Sequence, residues 1–262
     1  MIFCERAPHV VRDSRPDPQR RPGKRLLPLT TSRPKCLIEL SGKTLLRWQL
    51  EGLRAAGIRE AVVVTGFKAE AVDAEVAALD LPGLQVRTQF NPFFDVADNL
   101  ASCWMAKEQF DRDLLLLNGD TLFEPKIAER LVAAPPSEIT VTVDRKAGYD
   151  ADDMKVLEAG GRLKAIGKVI TEYNAESIGF LRFSPAGGAR FVAAIDAVIR
   201  SPGGLKRWYL SAIDEIAKAS GVVTVQSIEG LEWGEMDFPA DYEANSELTA
   251  RWAANASKQT AA

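Results

Sequence analysis

Three short segments of this 262-residue chain carry charged residues at spacings that suit phosphate and metal chemistry. The first is the run 23–30, which opens with Gly23-Lys24-Arg25 and is followed by Lys35. A glycine beside several cations suits a phosphate group, because backbone amides approach the phosphate closely and the cations neutralise its charge. The same composition is also typical of a solvated loop, so this segment alone supports both interpretations.

Acidic residues form the other two segments. Asp120 ends the run Asn-Gly-Asp after four consecutive leucines, and a carboxylate at the end of a buried strand is well placed to hold Mg²⁺. The same three residues also suit a plain turn. In the segment 233–237, Glu235 and Asp237 share a face if the chain is extended. The two carboxylates then repel each other unless a cation lies between them, although a solvent-facing strand edge explains them equally well.

The composition excludes several kinds of catalysis. His9 is the single histidine, which disfavours Ser-His-Asp catalysis, Cys-His catalysis and His-ligated zinc. Three cysteines without a CxxC pair argue against a disulfide framework and for a reducing compartment. The net charge of −3 is too balanced for a general nucleic-acid binder, and no run approaches the roughly 18–20 apolar residues of a membrane span. We therefore expect a cytoplasmic protein without nucleic-acid or membrane partners, whose chemistry uses carboxylates, lysine, arginine and a hard metal ion.

Hydrophobic periodicity predicts the elements that would position these groups. The predicted helices span residues 44–56, 69–79, 102–110, 126–133, 185–199 and 209–219, and the predicted strands span 36–40, 60–65, 84–88, 113–118, 138–144, 154–157, 163–170, 177–184 and 222–228. The β-α alternation of the first half predicts an α/β fold with a mainly parallel central sheet and helices on both faces. A hairpin around Gly160-Gly161 predicts an antiparallel extension in the second half.

Together these segments resemble the sugar-phosphate and phosphocholine nucleotidyltransferases, the MobA-like NTP transferase family, and within it the cytidylyltransferase branch. The family loop G-x-G-x-R-L-x-P-L-T followed by P-K is matched at 23–30 and by Pro34-Lys35. Further matching motifs lie at 42–45, 57–58, 62–66, 91, 99–102, 118–120, 153–156, 167–168, 176–179 and 233–237. The resemblance covers roughly residues 23–245, and it implies a Rossmann-like nucleotidyltransferase fold.

The resemblance also implies a reaction and a set of site residues. A cytidylyl group would pass from CTP to a small phosphorylated or phosphonate acceptor, with release of pyrophosphate. Asp120 and Asp237 would hold Mg²⁺, and Arg25 and Lys35 would be the catalytic cations. The implied nucleotide-binding residues are Gly23, Lys24, Arg25, Gly66, Ser102 and Asn118, and the implied acceptor-binding residues are Lys155, Lys168, Glu176, Trp208 and Trp233. Aromatic and acidic residues near these segments favour a cationic acceptor such as phosphocholine, although large aromatic residues also suit the core. They are Phe93, Phe94, Trp104, Trp208, Tyr209 and Trp233, with Asp95, Asp98 and Glu176.

The N-terminal segment departs from the family. Residues 1–25 contain six arginines, one lysine and four prolines, which is typical of an extended arm. The family has an apolar strand ending in Ala-Ala-Gly before its loop, whereas Arg21 stands here in place of the first glycine. We therefore expect residues 1–22 to be disordered or translated out of frame, so that the central strand of the sheet is missing or replaced. A genuine but diverged N-terminus is the alternative. The nucleotidyltransferase domain would span 23–250, and 251–262 would form a C-terminal tail.

Two other functions fit the same motifs. One is a sugar-1-phosphate nucleotidyltransferase that uses UTP or another NTP. The other is a catalytically impaired nucleotide-binding protein, because the first strand and the first loop glycine would be missing. A dinucleotide-binding Rossmann protein is disfavoured, since no G-x-G-x-x-G follows a strand in this chain.

Overall fold

The computed structural model describes residues 2–4, 26, 30 and 33–260. The strands are β1 (Ile2–Cys4), β2 (Glu39–Leu40), β3 (Lys43–Thr44), β4 (Glu60–Thr65), β5 (Gln85–Phe90), β6 (Leu114–Asn118), β7 (Thr121–Phe123), β8 (Ile139–Asp144), β9 (Lys155–Ala159), β10 (Arg162–Ile166), β11 (Ala175–Phe183), β12 (Val223–Ser227) and β13 (Trp233–Glu235). The helices are α1 (Leu45–Ala55), α2 (Ala69–Ala78), α3 (Asn99–Met105), α4 (Pro125–Val132), α5 (Pro185–Ile199), α6 (Tyr209–Ser220) and α7 (Pro239–Thr260). Most predicted elements are present, with ends that differ by a few residues.

A nine-stranded sheet organises the molecule, in the order β5-β4-β1-β6-β11-β8-β12-β10-β9. The first four of these strands are parallel. Strand β11 pairs antiparallel with both β6 and β8, and β9 and β10 form an antiparallel hairpin. The predicted α/β fold, with a parallel part and an antiparallel extension, is therefore confirmed.

The centre of the sheet corrects the expectation of a missing first strand. Strand β1 lies between β4 and β6 and pairs with both, so that Phe3 is opposite Val63 and Leu117. A slot between two parallel strands offers backbone hydrogen-bond partners on both sides, so even three residues can form a strand there. The remainder of the arginine-rich segment, residues 5–25, lies outside the described residues.

The leucine run of β6 shows why helices cover both faces of the sheet. Leu114 and Leu116 belong to a buried cluster with side chains of α3, α5 and α6. Leu115 and Leu117 belong to a second cluster with side chains of α1, α2 and α4. Because successive side chains of a strand point to opposite faces, an unbroken apolar run requires apolar cover on both sides.

Two predicted elements are wrong in detail. The strand predicted at 36–40 is instead a 3₁₀ turn, Lys35–Leu37, followed by the short β2, because the N–H of Leu37 donates to the carbonyl of Pro34 at 3.0 Å. The helix predicted at 102–110 begins earlier, at Asn99, and ends at Met105, after which a separate 3₁₀ turn follows. Lys35 therefore begins a tight turn that leads into the sheet region.

The C-terminal helix α7 continues through the boundary expected at residue 250. Trp252 packs edge-to-face on Trp48 of α1, with ring centroids 6.0 Å apart, and its indole N–H donates to Glu232 at 2.8 Å. Leu248 lies in a third buried cluster together with Met236. Residues 251–252 are thus packed onto the domain. Neither α7 nor any other helix in the described part of the chain is long and apolar enough to cross a membrane.

Candidate functional site

Two segments that are far apart in the sequence meet beyond the carboxyl end of β6. The turn at 118–120 leads from β6 into β7, and β7 pairs antiparallel with β13. The backbone N–H of Met236 donates to the carbonyl of Asp120 at 3.0 Å. This pairing brings Asp120 and Asp237 to the same place, at the edge of the sheet where doubly wound folds bind their ligands.

The ammonium group of Lys35 joins these two carboxylates. Its Nζ is 2.6 Å from Asp237 Oδ1 and 3.3 Å from Asp120 Oδ2, and all three side chains are largely buried. Burial acts to lower the pKa of Lys35, but the negative charges of Asp120 and Asp237 outweigh it and hold that pKa above its ordinary value. Burial raises the pKa of Asp120, although the attraction of Lys35 opposes the rise. Three predicted site residues therefore form one charged cluster.

Glu235 lies near enough to the cluster for the charges of Asp120 and Asp237 to act on its carboxyl group. Its side chain is exposed at the surface, yet many protein atoms surround its carboxyl group. This crowding, together with the negative charges of Asp120 and Asp237, raises the pKa of Glu235 well above its ordinary value. The sequence pairs Glu235 only with Asp237, whereas the structure brings Asp120 into the same group.

The donor atoms of this cluster suit a hard divalent cation. Among the residues that the structure describes, no three Asp, Glu, Cys or His side chains form a ready metal cage. Mg²⁺ commonly binds through only one or two carboxylates plus the phosphates of a substrate. Asp120 and Asp237 supply two such carboxylates, and the ammonium group of Lys35 shows that a positive charge can lie between them. The residues present therefore fit Mg²⁺.

Asn118, at the start of the same turn, is held in one orientation. The hydroxyl of Tyr209 donates to Asn118 Oδ1 at 3.0 Å. Gln49 Nε2 donates to the carbonyls of Asn118 and Thr121, at 2.9 and 2.8 Å. Gly179 packs against the amide so closely that an added Cβ would lie 2.2 Å from Asn118 Nδ2. These contacts fix both ends of the turn that presents Asp120.

The predicted nucleotide-binding residues divide into two groups. Gly23, Lys24 and Arg25 lie outside the described residues. Gly66 directly follows β4 and packs on Phe94, whose Cβ would lie 2.4 Å from a Cβ added to the glycine. Ser102 of α3 accepts a hydrogen bond from Asn91, which directly follows β5, at 3.1 Å. Gly66 and Ser102 therefore lie along the same edge of the sheet as Asn118.

Three predicted acceptor-binding residues surround the segment 144–154, here called the acceptor segment, which links β8 to β9. Lys155 Nζ donates to a backbone carbonyl of this segment and to the carbonyl of Lys168. Lys168 Nζ is 3.4 Å from Asp152 Oδ1. The same ammonium group lies 5.5 Å from the ring centroid of Trp208. The structure thus brings Lys155, Lys168 and Trp208 together.

Glu176 and Trp233 reach the acceptor segment from another side. Lys146 Nζ is 3.0 Å from Glu176 Oε1 and 2.9 Å from Asp153 Oδ2. Trp233 donates its indole N–H to Asp144 at 2.8 Å. Its ring packs against the apolar cluster of α1, α2 and α4, whereas Trp208 packs against the cluster on the opposite face. The structure therefore does not place Trp233 beside Trp208.

A small cavity lies between the carboxylate cluster and the acceptor segment. Its walls include Asn99, Asn118, Asp152, Trp208 and Glu235. The indole N–H of Trp208 is buried and has no hydrogen-bond acceptor among the described residues. Buried donors are almost always paired, so an unpaired donor on a residue that lines a cavity suggests an oxygen atom of a ligand as its partner.

Glu176 should make the stability of the protein depend on pH near neutrality. Burial raises the pKa of Glu176 to about 7, although Lys146 opposes the rise and Asp153 and Asp144 add repulsion. The folded state therefore binds more protons than the unfolded chain between about pH 4.5 and 7, so stability falls as the pH rises through that range. Glu176→Gln does not titrate, and its melting temperature should rise relative to the wild type between pH 5 and pH 8.

Thermal unfolding of both proteins across this pH range measures the effect. Glu172→Gln, at an exposed position, is the matched control and should follow the wild type. A constant difference between Glu176→Gln and the wild type would contradict the raised pKa.

Sequence reasoning missed several residues that shape this site. Gln49 has a usable signal, because it is a polar residue on the otherwise apolar stripe of α1. Tyr209 begins a predicted helix, and only its contact with Asn118 reveals a role in the site. Lys146 has no signal, since a lysine in a polar loop resembles any other until its partners are known.

Comparison with known proteins identifies the family of this chain. Residues 23–222 match the family described as the MobA-like NTP transferase domain. The CMP-5'-(3-aminopropyl)phosphonate synthase of Streptomyces rubellomurinus is 30% identical over 234 residues, which cover 84% of this chain and 36% of that protein. The CTP:phosphoglutamine cytidylyltransferase of Campylobacter jejuni is 24% identical over 249 residues, which cover 86% of this chain and 96% of that protein. This chain thus spans little more than a third of the first relative and nearly all of the second.

The fold also has solved counterparts. The inositol-1-phosphate CTP transferase of T. maritima superimposes with a TM-score of 0.72, covering 94% of this chain and 93% of that one at 21% identity. At that identity the likeness concerns the fold, which is the Rossmann-like nucleotidyltransferase fold. The family match covers more than half of the chain and includes Lys35 and Asp120. This chain belongs to the MobA-like NTP transferase family.

Proposed function

We propose that this enzyme transfers a cytidylyl group from CTP to a small phosphorylated or phosphonate acceptor and releases pyrophosphate. The observation that carries the proposal is the buried ammonium of Lys35 between Asp120 and Asp237. Nucleotidyl transfer needs such charged groups around phosphates and does not need a histidine base. The choice of CTP rests on the relatives described above, whose names specify CMP or CTP.

The reaction follows from charge and position. An ionised oxygen of the acceptor attacks the α-phosphorus and forms a P–O bond, while the bond to the pyrophosphate leaving group breaks. That oxygen is already ionised near neutral pH, so the protein has to align the reactants and stabilise negative charge. Lys35 supplies a buried positive charge, and Arg25 is proposed to supply a second. Asp120 and Asp237 would hold Mg²⁺, which contributes positive charge at the phosphate oxygens.

The phosphate or phosphonate group of the acceptor is proposed to bind near Lys168 and Trp208. Lys168 is buried, and a buried ammonium group gains from a phosphate partner. Trp208 lines the small cavity, and its unpaired indole N–H is proposed as a second donor to the same group. Asp152 and Glu235 line the same cavity, and their carboxylates favour a positive charge on the remainder of the acceptor.

The cationic end of the acceptor would therefore meet carboxylates rather than aromatic faces. The rings of Trp208, Tyr149 and Tyr173 each have a lysine ammonium of this chain within 5.6 Å of their centroids. Those rings are thus already engaged in cation–π contacts. We expect an amino alcohol phosphate or an aminoalkyl phosphonate as the acceptor, in preference to a sugar 1-phosphate.

Trp208→Phe should raise KM for the acceptor about tenfold while KM for CTP stays close to the wild-type value. The substitution keeps an aromatic ring and removes the indole donor, and the loss of one hydrogen bond to a charged oxygen weakens binding by about 1.5 kcal/mol. Steady-state kinetics with each substrate varied in turn measures the two constants. Trp104→Phe removes an indole N–H that donates to Asp196 on α5, away from the cavity, and should leave both constants unchanged. Equal changes in both KM values for Trp208→Phe would contradict the acceptor assignment.

Pyrophosphate release tests the proposed function as a whole. Each of CTP, UTP, ATP and GTP is combined with phosphocholine, phosphoethanolamine, aminoethylphosphonate or glucose 1-phosphate, with and without Mg²⁺. We expect release with CTP and a cationic acceptor, and only when Mg²⁺ is present. Release with UTP and the sugar phosphate would establish the sugar-nucleotide alternative instead. Binding of CTP without release for any acceptor would indicate a nucleotide-binding protein impaired in catalysis.

A further inference from the structure

The C-terminal helix α7 touches the segment that carries Asp237. This helix lies beyond residues 23–222, the part that matches the family. The side chain of Asn245 is buried, and its Nδ2 donates to the carbonyl of Glu235 at 2.7 Å. The approach is close, because a Cβ added to Gly234 would lie 2.1 Å from Asn245 Oδ1. Asn245 therefore fixes the backbone just before Asp237.

Asp241 holds the backbone at Asp237 itself. A single oxygen, Asp241 Oδ2, accepts the N–H groups of Asp237 at 2.8 Å and of Phe238 at 2.7 Å. This arrangement resembles a capping box, in which an acidic residue in the first turn of a helix reaches back to the N–H groups that precede the helix. The first turn of α7 therefore sets the direction in which the chain passes Asp237.

Met236 completes the set of contacts between these two fixed points. Its side chain lies in a buried cluster with Leu248 of α7, and its backbone N–H donates to Asp120. The residues at 235, 236 and 237 are thus each tied to α7, and residue 236 also ties them to the turn that carries Asp120.

We propose that Asn245 and Asp241 are positioning residues for the carboxylates that hold the metal ion, so that α7 is a functional part of the active site. The inference rests on the proposed function, because it takes Asp237 as a metal-holding residue. A catalytic carboxylate has to lie within about 0.5 Å of its working position. Groups behind a metal ligand commonly change metal affinity by about 10–100-fold, and here those groups act through the backbone of residues 235–238.

Binding of Mn²⁺ to the full chain tests this role without turnover. The decrease in the EPR signal of free Mn²⁺ measures the binding. Asp241→Ala and Asn245→Ala should each weaken Mn²⁺ binding about 10–100-fold. Asp241→Asn should bind close to the wild-type level, because its single carbonyl oxygen can accept both N–H groups. Two variants are matched controls and should bind Mn²⁺ like the wild type. Glu243→Ala removes an exposed carboxylate near Asp241, and Ser246→Ala truncates the residue next to Asn245.

Asp237→Asn is the reference that separates the two proposals. If it binds Mn²⁺ as the wild type does, the proposed metal site is wrong. If it loses affinity while Asp241→Ala and Asn245→Ala keep theirs, the positioning role is overturned. Equal losses in Asp241→Ala, Asp241→Asn and Glu243→Ala would also overturn it, because they would indicate a general effect of charge. Melting temperatures identify a variant that fails to fold. If Asn245→Ala is such a variant, the comparison of Asp241→Ala with Asp241→Asn decides whether α7 positions the carboxylates.

Discussion

Asp120→Asn should lower kcat/KM for nucleotidyl transfer by about three orders of magnitude in a protein that remains folded. The substitution keeps the size of the side chain and removes one of two carboxylates proposed to hold the metal ion. Loss of about 4 kcal/mol of charge stabilisation in the transition state corresponds to that factor. The fold should tolerate the change, because Lys35 keeps its closer contact with Asp237 at 2.6 Å and a neutral group at a buried position avoids the desolvation that raises the pKa of Asp120.

Pyrophosphate release at saturating Mg²⁺ and the melting temperature measure the two effects separately. Asp237→Asn should lose activity to a similar extent. Asp113→Asn is the matched control and should keep full activity. Asp113 is exposed and directly precedes β6, at the end of the strand opposite to Asp120. Activity near the wild-type level in Asp120→Asn or Asp237→Asn would remove that residue from the proposed metal site.

Lys35→Met should reduce activity by about 10²–10³-fold and should also destabilise the protein when no divalent cation is present. Without the ammonium group, the carboxylates of Asp120 and Asp237 lose the cation that both now contact. Removal of one partner from a buried ion pair costs about 3–5 kcal/mol, which corresponds to a fall of roughly 6–20 °C in melting temperature for a chain of this size. Mg²⁺ should restore more stability to Lys35→Met than to the wild type, because it can replace the missing charge.

Thermal unfolding with EDTA and with Mg²⁺ measures this difference. Lys43→Met is the matched control, since Lys43 pairs with Glu51 at the surface and its loss should cost less than about 1 kcal/mol. Mg²⁺ should have the same effect on Lys43→Met as on the wild type. If Lys35→Met and the wild type gain equally from Mg²⁺, Lys35 and the metal ion do not share the two carboxylates.

Local patterns in the sequence account for most of the sheet and its helices. Strand β6 is recognisable because an unbroken run of leucines requires cover on both faces, and α5 is found at its predicted limits. Strand β1 is the element that the sequence analysis failed to predict. Three residues carry no periodicity that can be read along the chain, and they form a strand only because β4 and β6 leave a slot between them.

The sequence also predicts a chemical character for the site. The near absence of histidine, the acidic residues after a buried strand and the cation-rich loop together indicate phosphate chemistry assisted by a metal ion. The motif order pointed to the family that the match over residues 23–222 shows. Such features depend on residue type and near-neighbour spacing, which the chain carries wherever it folds.

The contacts within the site were decided only by the tertiary structure. Lys35 meets Asp120 and Asp237 across 85 and 202 residues of sequence. Helix α7 reaches the segment of Asp237 through Asp241 and Asn245, in a part of the chain where the sequence predicts no helix. No local pattern encodes such contacts, because they depend on which strands pair and in which register. The pairing of β7 with β13 sets the distance between the two carboxylates. The sequence therefore determined which groups are available for the chemistry, and the packing of the sheet against α7 determined which of them act together.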